Sequence, residues 1–201
     1  MIKKLNLEKL SQKELGYLVG LFEGDGYAYN SYRHYNIEFY LNSLKDQDIV
    51  NQLLVILKKI DSNPHIIKDK RFNCLKVKVS SKLFYEMILR LSANNPTNTD
   101  FKLGFISGII DSDGYVNQAK RYIQITNTNK KLMEKIQIYL RTFNIESKIT
   151  KKSRGMKDKL QRYSLYVPIK FLKIKNNSRK IKRMDSGARN TIRLAFLPTL
   201  I

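Results

Sequence analysis

This chain has 201 residues, enough to bury a core as one domain or as two small fused domains. Its 38 Lys and Arg outnumber its 17 Asp and Glu and give a formal charge of +21, which favours a polyanion such as nucleic acid as the partner. Cys74 is the single cysteine, and the two histidines lack the spacing of a zinc site. No apolar stretch approaches the ~20 residues of a membrane span. We therefore expect a soluble protein of a reducing compartment, either prokaryotic cytoplasm or an organelle interior, with no membrane partner.

The first clear element is a helix at Leu15–Tyr27, which reads LGYLVGLFEGDGY. Apolar residues recur there at helical spacing, and Gly26 follows them as a stop signal. Ser11 and Glu14 predict a capping box at the start of this helix. The remaining elements predicted in the first half are strands at 27–33 and 36–42, a helix capped by Asp46 and ending near Ile60, strands at 66–71 and 75–80, and a helix from Lys82 to about Leu91.

The second half repeats this order after a polar segment at 93–100, which contains Pro96 and predicts a linker. The motif returns at Leu103–Tyr115 as LGFISGIIDSDGY; the offset is constant because 103 − 15 and 113 − 25 both equal 88, and six of the thirteen aligned residues are identical. The elements predicted after it are strands at 115–120 and 122–127, a helix over about 129–143, and strands near 148–152 and 163–167. The sequence therefore predicts an α+β fold in which the order α-β-β-α-β-β-α occurs twice.

Each motif helix carries a strip of small residues at every fourth position. These residues are Gly16, Gly20 and Gly24 in the first copy and Gly104, Gly108 and Ser112 in the second. Residues four apart share one helical face, so each helix can approach another backbone closely, and the simplest partner of one strip is the other. Parallel packing would place Asp25 and Asp113 side by side at the negative ends of the two helices, where a divalent cation would stabilise them.

The two motif copies resemble the LAGLIDADG homing endonucleases of the monomeric, double-motif type. The resemblance rests on residues 18–26 and 106–114 and fits nearly the whole chain. It implies two pseudo-symmetric halves, at 1–92 and 101–201, with antiparallel DNA-binding sheets joined by the two packed motif helices. It also implies a monomer that hydrolyses both strands of a long, asymmetric double-stranded DNA target and leaves 3′ overhangs.

The same resemblance implies the site residues. Asp25 and Asp113 match the acidic metal ligands, the carbonyls of Gly24 and Ser112 complete the shell, and the metal is Mg²⁺, with Mn²⁺ or Ca²⁺ as substitutes. Glu23 and Asp111 lie two positions before these acids and should point to a different side, towards a helix end. The family places a basic residue near each active site: in the first half Arg90, Lys102 or no residue serves, and in the second half Lys180 or Lys182. The candidates for its water-positioning residue are Ser43 and Asn127.

One polar face of each predicted sheet can enter the major groove of DNA, where amides and Arg pair with base edges and Lys neutralises phosphate. The candidate DNA-contacting residues are Tyr29, Arg33, Tyr40, Lys68, Arg71, Lys76 and Lys78 in the first half and Asn117, Lys120, Gln124, Thr126, Lys151 and Arg154 in the second. A basic tail at 170–193, with nine Lys and Arg and one acid, is either solvated surface or lies against phosphates.

Three other functions are compatible with parts of this pattern. An RNA maturase would bind intron RNA on the same fold, and a DNA-binding regulator would be catalytically silent on it. A basic structural protein of ribosome or chromatin would need neither metal nor a long specific site. The Asp-Gly pairs alone are also typical of turns, but a turn does not explain why the preceding helix recurs with them. An intron-encoded or free-standing endonuclease is the leading hypothesis, and no protein-splicing element is visible.

Overall fold

A computed structural model describes residues 5–69, 73–117, 119–152, 160–168, 170, 171, 174 and 176–183. The first half contains α1 (Gln12–Asp25), β1 (Gly26–Ser31), β2 (His34–Asn42), α2 (Gln47–Lys59), β3 (His65–Asp69), β4 (Cys74–Ser80) and α3 (Lys82–Ala93). The second contains α4 (Thr99–Asp113), β5 (Gly114–Asn117), β6 (Tyr122–Asn127), α5 (Lys130–Arg141), β7 (Lys148–Lys151) and β8 (Tyr163–Pro168). The predicted α+β fold is confirmed; of the final helix, the described residues contain only the stretch 179–183.

The motif helices α1 and α4 pack against each other backbone to backbone. The predicted capping box at the start of α1 is confirmed, because the Glu14 amide donates to Ser11 Oγ and the Ser11 amide donates to the Glu14 carboxylate. A Cβ atom built on Gly20 would lie 2.1 Å from the Phe105 carbonyl oxygen, and one on Gly108 would lie 2.3 Å from that of Tyr17. Only glycine fits such contacts, so the strips predicted from the sequence form the centre of the molecule.

Each motif helix ends directly before a glycine, as the sequence predicts. Gly26 and Gly114 adopt extended conformations, with φ of −101° and −84°, and do not use the left-handed region of a glycine cap. A Cβ at Gly26 would lie 2.4 Å from the Phe22 carbonyl oxygen, and one at Gly114 would lie 2.5 Å from that of Ile110. The glycines therefore let the chain leave the helix directly as a strand without a steric clash.

Two four-stranded antiparallel sheets follow from these strands, sheet 1 in the order β1-β2-β4-β3 and sheet 2 in the order β5-β6-β8-β7. Alternate residues of β2, among them Ile37 and Phe39, are buried under the helices, as are Ile123 and Ile125 of β6. The intervening residues form the opposite side, which we call the outward face of each sheet. No helix among the described residues is long and apolar enough to cross a membrane.

Several element boundaries differ from the predicted ones. β5 stops at Asn117 because its side-chain oxygen accepts from the Lys120 amide and closes a turn. α2 begins directly after Asp46 as expected, but that side chain makes no cap and instead accepts from the Asn42 amide. The predicted linker is shortened from both sides, because α3 continues to Ala93 and α4 begins at Thr99. The division into halves at 93–100 stays a prediction.

Candidate active site

Asp25 and Asp113 are the last residues of α1 and α4, and the close packing of these helices brings them together. A Cβ at Gly24 would lie 2.0 Å from Ser112 Oγ and 3.3 Å from Asp113 Oδ2. The Asp113 carboxylate thus lies directly against the last turn of α1. The sequence pattern had predicted this pair of adjacent acids.

The two carboxylates resist ionisation in this position. Burial, with a further contribution from the Asp113 charge, raises the pKa of Asp25 to about 7, although Lys180 opposes the shift. Burial also raises the pKa of Asp113, against a hydrogen bond from Asn127 and the charge of Lys180. Two half-buried acids at the negative ends of two helices form a strongly electronegative site that a bound cation would relieve.

Lys180 is the basic residue that reaches this site. Its ammonium donates to the carbonyl oxygens of Ser112 and Gly114, each at 2.9 Å. Burial lowers its pKa, while the nearby acids, led by Asp46, oppose that shift. The sequence left Lys180 and Lys182 as alternatives, and the structure places Lys180 beside the carboxylates.

Asp111 positions Lys180 beside the two carboxylates, because it binds the segment that carries this lysine. Its carboxylate is 1 % exposed and accepts from Tyr17 Oη and Ser178 Oγ, both at 2.8 Å, and from the amides of Arg179 and Lys180 at 2.9 and 3.1 Å. Tyr17 belongs to α1, whereas the other three donors lie at the start of the helical stretch 179–183. The acid of the second motif therefore binds the amino end of that stretch. Asp111 points to a helix end, as predicted, and not to the metal candidates.

The segment 176–183 also contacts the first half of the chain. Arg179 Nε donates to Gln52 Oε1, and the Arg183 guanidinium pairs with Asp48, both partners lying on α2. The Asn177 amide donates to Ser107 Oγ of α4 at 3.3 Å. This part of the predicted basic tail is therefore folded structure; its other residues beyond 171, except 174, lie outside the described ones.

Asn127 is the second polar residue at Asp113. Its Nδ2 donates to Asp113 Oδ2 at 2.6 Å. In the strand registers Gly26 is paired with Phe39 and Gly114 with Ile125, so the counterpart of Asn127 in the first half is Leu41, two residues after Phe39. Leu41 is 2 % exposed and apolar, and no amide takes the corresponding place beside Asp25.

The remaining candidates for catalytic support lie elsewhere. Lys102 is in the first turn of α4, eleven residues or about 16 Å along the helix from Asp113, and its ammonium is 5.7 Å from the centroid of the Tyr139 ring. The expectation that Lys102 serves the site is wrong. Arg90 is exposed in the last turn of α3, and Ser43 is buried with no hydrogen-bond partner for its hydroxyl in the described part of the chain.

The donor set fits a hard divalent cation in part. Two carboxylates and the backbone carbonyls at the helix ends are suitable oxygen ligands. No group of three His, Cys, Asp or Glu that could hold a metal occurs in the described ranges, so phosphate and water oxygens would have to complete the shell, as Mg²⁺ permits. The Ser112 carbonyl, a predicted ligand, already accepts from Lys180.

Most, but not all, of the candidate DNA-contacting residues in the described ranges lie on the outward faces of the two sheets. Tyr29, Tyr40, Lys76 and Lys78 share the outward face of sheet 1, and Asn117, Gln124 and Thr126 share that of sheet 2. Arg33 lies in the β1–β2 turn and Lys120 in the β5–β6 turn. Arg71 and Arg154 lie outside the described residues.

Two candidates on the edge strands are on the wrong face. Lys68 is paired with Leu75, and Lys151 is paired with Tyr163; both of these partners pack on the core. Because side chains alternate along a strand, Lys68 and Lys151 lie on the side of each sheet opposite to its outward face, where both are exposed at the sheet edge. The prediction missed this because it did not fix the register of the edge strands.

Comparisons with known proteins agree with this architecture. Residues 15–95 match the family model described as the WhiA LAGLIDADG-like domain, and residues 100–184 match that of the LAGLIDADG-like domain. An uncharacterized protein of Methanocaldococcus jannaschii is 26% identical over 159 residues; the match covers 72% of this chain and 59% of that protein.

Solved structures with the same fold include variants of the homing endonuclease I-DmoI, with a TM-score of 0.65 and 20% identity over 80% of this chain and 93% of that one. I-DmoI in complex with DNA and Ca has a TM-score of 0.64 and 22% identity over 80% and 87%. Full-length DUF199/WhiA from Thermatoga maritima has a TM-score of 0.62 and 18% identity over 90% and 61%. At these identities the likeness shows the fold alone.

Proposed function

We propose that this chain, which carries a LAGLIDADG-like domain in each half, is a monomeric, site-specific endonuclease. Its substrate is a long, asymmetric double-stranded DNA target, and it hydrolyses both strands with Mg²⁺. The observation that carries the proposal is the pair of acids, Asp25 and Asp113, at adjoining helix ends between two sheets. Both acids are present, and an ammonium and an amide lie beside them.

The chain's own residues have distinct tasks in this proposal. Asn127 holds the Asp113 carboxylate in one orientation, and the Lys180 ammonium offsets negative charge on a phosphate that approaches the site. A divalent cation held by Asp25 and Asp113 would polarise that phosphate and activate water. Structures of I-DmoI with DNA contain Ca, Mn or Mg, which supports such a cofactor here. The charge of +21 supports attraction of DNA to the sheets.

Cleavage of a randomised duplex library in Mg²⁺ tests the proposal. Wild type should cut one long site, and Asp25→Asn and Asp113→Asn should each abolish the cut. Asp100→Asn is the matched control, because Asp100 is an exposed acid in the first turn of α4, and this variant should cut like wild type. Equal cutting by all three variants, or no cutting by folded wild type, would contradict the proposal.

A catalytically silent DNA-binding regulator is the second candidate, and one observation favours it. The Asp25 side of the site has Leu41 in place of an amide. Among the described residues, the basic group that acts on Asp25 is Lys180, which belongs to the other half. Tight binding of one duplex sequence without cleavage would support this candidate. Preferential binding of a structured RNA would favour the maturase instead.

A further inference from the structure

A buried acid lies in the middle of the outward face of sheet 1. Glu38 is 3 % exposed, although it shares this face with Tyr27, Tyr29, Tyr40 and two lysines. An acid is unexpected on the surface that the proposed function brings against a polyanion. Its neighbours across the sheet are Tyr27 on β1 and Lys78 on β4.

Both oxygens of Glu38 are occupied by groups of the same face. The Tyr40 hydroxyl donates to Oε2 at 2.5 Å, and the Tyr29 hydroxyl donates to Oε1 at 3.4 Å. Lys76 Nζ lies 3.3 Å from Oε1. The hydrogen bond to Glu38 also raises the pKa of Tyr40 to about 12, so this hydroxyl stays a donor to the acid throughout the neutral range.

The two lysines are held through this cluster. Lys78 Nζ donates to the Tyr29 hydroxyl at 3.0 Å and lies 5.5 Å from the centroid of that ring. Lys76 Nζ lies 6.0 Å from the centroid of the Tyr40 ring. A free lysine on a surface samples many rotamers, whereas these two ammonium groups are fixed by tyrosines that Glu38 itself holds.

The chemistry of the fixed groups determines what they can recognise. An ammonium only donates hydrogen bonds, and the carboxylate that could accept has no free oxygen. In the major groove guanine offers two adjacent acceptors, N7 and O6. Adenine pairs one acceptor with a donor, cytosine offers a donor, and thymine offers the single acceptor O4 beside its methyl group. Two positioned ammonium groups therefore match guanine better than any other base.

We propose that Glu38 is a positioning residue for base recognition, and that by orienting Lys76 and Lys78 it makes sheet 1 select guanine in the half of the target that it covers. The inference rests on the proposed function only for DNA binding in the major groove, not for cleavage. Sheet 2 has no acid in the corresponding place. There Gln124 Nε2 donates to Thr126 Oγ1 and Ser164 Oγ. Its carbonyl oxygen, which accepts no hydrogen bond from the described residues, could accept one from a base that offers a donor.

The test is selection of bound sequences from a randomised duplex library in EDTA, so that cleavage plays no part. Wild type should prefer guanine about tenfold over each other base at one or more positions, and Gln124→Leu should leave these positions unchanged while relaxing the other end of the site. Glu38→Gln should reduce the guanine preference to about twofold or less, and it should keep or increase affinity for random DNA because it removes a negative charge.

Glu134→Gln is the matched control, because it makes the same charge change on the exposed surface of α5, where Glu134 pairs with Lys130. It should keep the guanine preference. If the melting temperature shows that Glu38→Gln is unfolded, Lys76→Gln replaces it, with the same expected loss. An unchanged preference in a folded Glu38 or Lys76 variant, or no guanine preference in wild type, would overturn the inference; if wild type enriches no duplex at all, the proposed function fails with it.

Discussion

Asp25 and Asp113 are the last residues of two helices that carry the same motif, yet their surroundings differ. Asp113 accepts from Asn127, and Lys180 bonds the carbonyls on either side of it. Asp25 has Leu41 at the place of Asn127, and the acid Asp46 contributes to raising its pKa. The two sides share the packing of α1 against α4, in which glycines of each helix lie against the backbone of the other. They differ in single side chains, which can change without disturbing that packing.

The largest effect on stability is expected from substitutions that disrupt the packing of α1 against α4. Gly20→Ala and Gly108→Ala each place a methyl group within 2.1 to 2.3 Å of a backbone oxygen of the other helix, so each should lower the free energy of unfolding by about 3 kcal/mol or more. Denaturant unfolding followed by circular dichroism measures this. If one variant were stable and the other not, the two helices would not share the contact equally.

A second prediction compares the first acids of the two motifs. Within the part of the chain that the structure describes, Asp111 accepts four hydrogen bonds, whereas Glu23 accepts one from the Ser92 hydroxyl. Asp111→Asn should therefore lower the free energy of unfolding by about 3 kcal/mol, and Glu23→Gln by less than about 1 kcal/mol. The same unfolding measurement applies, and equal losses would show that the folded segment 176–183 does not depend on Asp111.

A third prediction concerns substitutions that remove the side chains found beside Asp113 and so make the two sides of the site more alike. Lys180→Met should slow cleavage of the strand nearer Asp113 by about 10²-fold, because Lys180 is the cation beside Asp113 among the described residues. Asn127→Leu, which copies Leu41 into the second half, should slow the same strand by about tenfold. Nicking rates on a duplex labelled separately on each strand measure both effects. Equal slowing of both strands would mean that the two sides act as one.

The last prediction concerns the pH dependence of stability. The folded-state pKa of Asp25 is about 7, above its ordinary value near 4, so the folded protein holds a proton that the unfolded chain has lost. Stability should therefore fall as pH rises from about 4 to 7 and then level off. Melting temperatures in EDTA should show a smaller fall in Asp25→Asn, and Mg²⁺ should raise the wild-type value more at pH 8 than at pH 5. Parallel curves for the two proteins would contradict this assignment.

The fold was predictable because its signals are local and duplicated. Helical periodicity, the Ser11 cap and the repeated strips appear within short windows of sequence, and the alternation of Ile37, Phe39 and Leu41 identifies one buried strand face. The site was predictable only where the motif itself supplies the residues, as for Asp25 and Asp113.

The rest of the site depends on contacts that no local pattern encodes. Lys180 is 68 residues from the Ser112 carbonyl that it bonds, and Leu41 is recognised as the counterpart of Asn127 only from the strand register. Glu38 resembled an ordinary polar residue of an alternating strand, since its burial comes from tyrosines on other positions of the sheet. Lys102 was misjudged although helix geometry alone separates it from Asp113.

The contacts of residues 176–183 with α2 have a consequence for the order of folding. A ribosome releases the whole first half, including Gln52 and Asp48, before Arg179 and Arg183 have been made. Until then, the surface of α2 around Gln52, which Arg179 contacts in the complete protein, is exposed to solvent. Asp25 also lacks the Lys180 ammonium beside it. During synthesis the first half therefore lacks its contacts with residues 176–183. The site is complete only after this late segment has packed against α2.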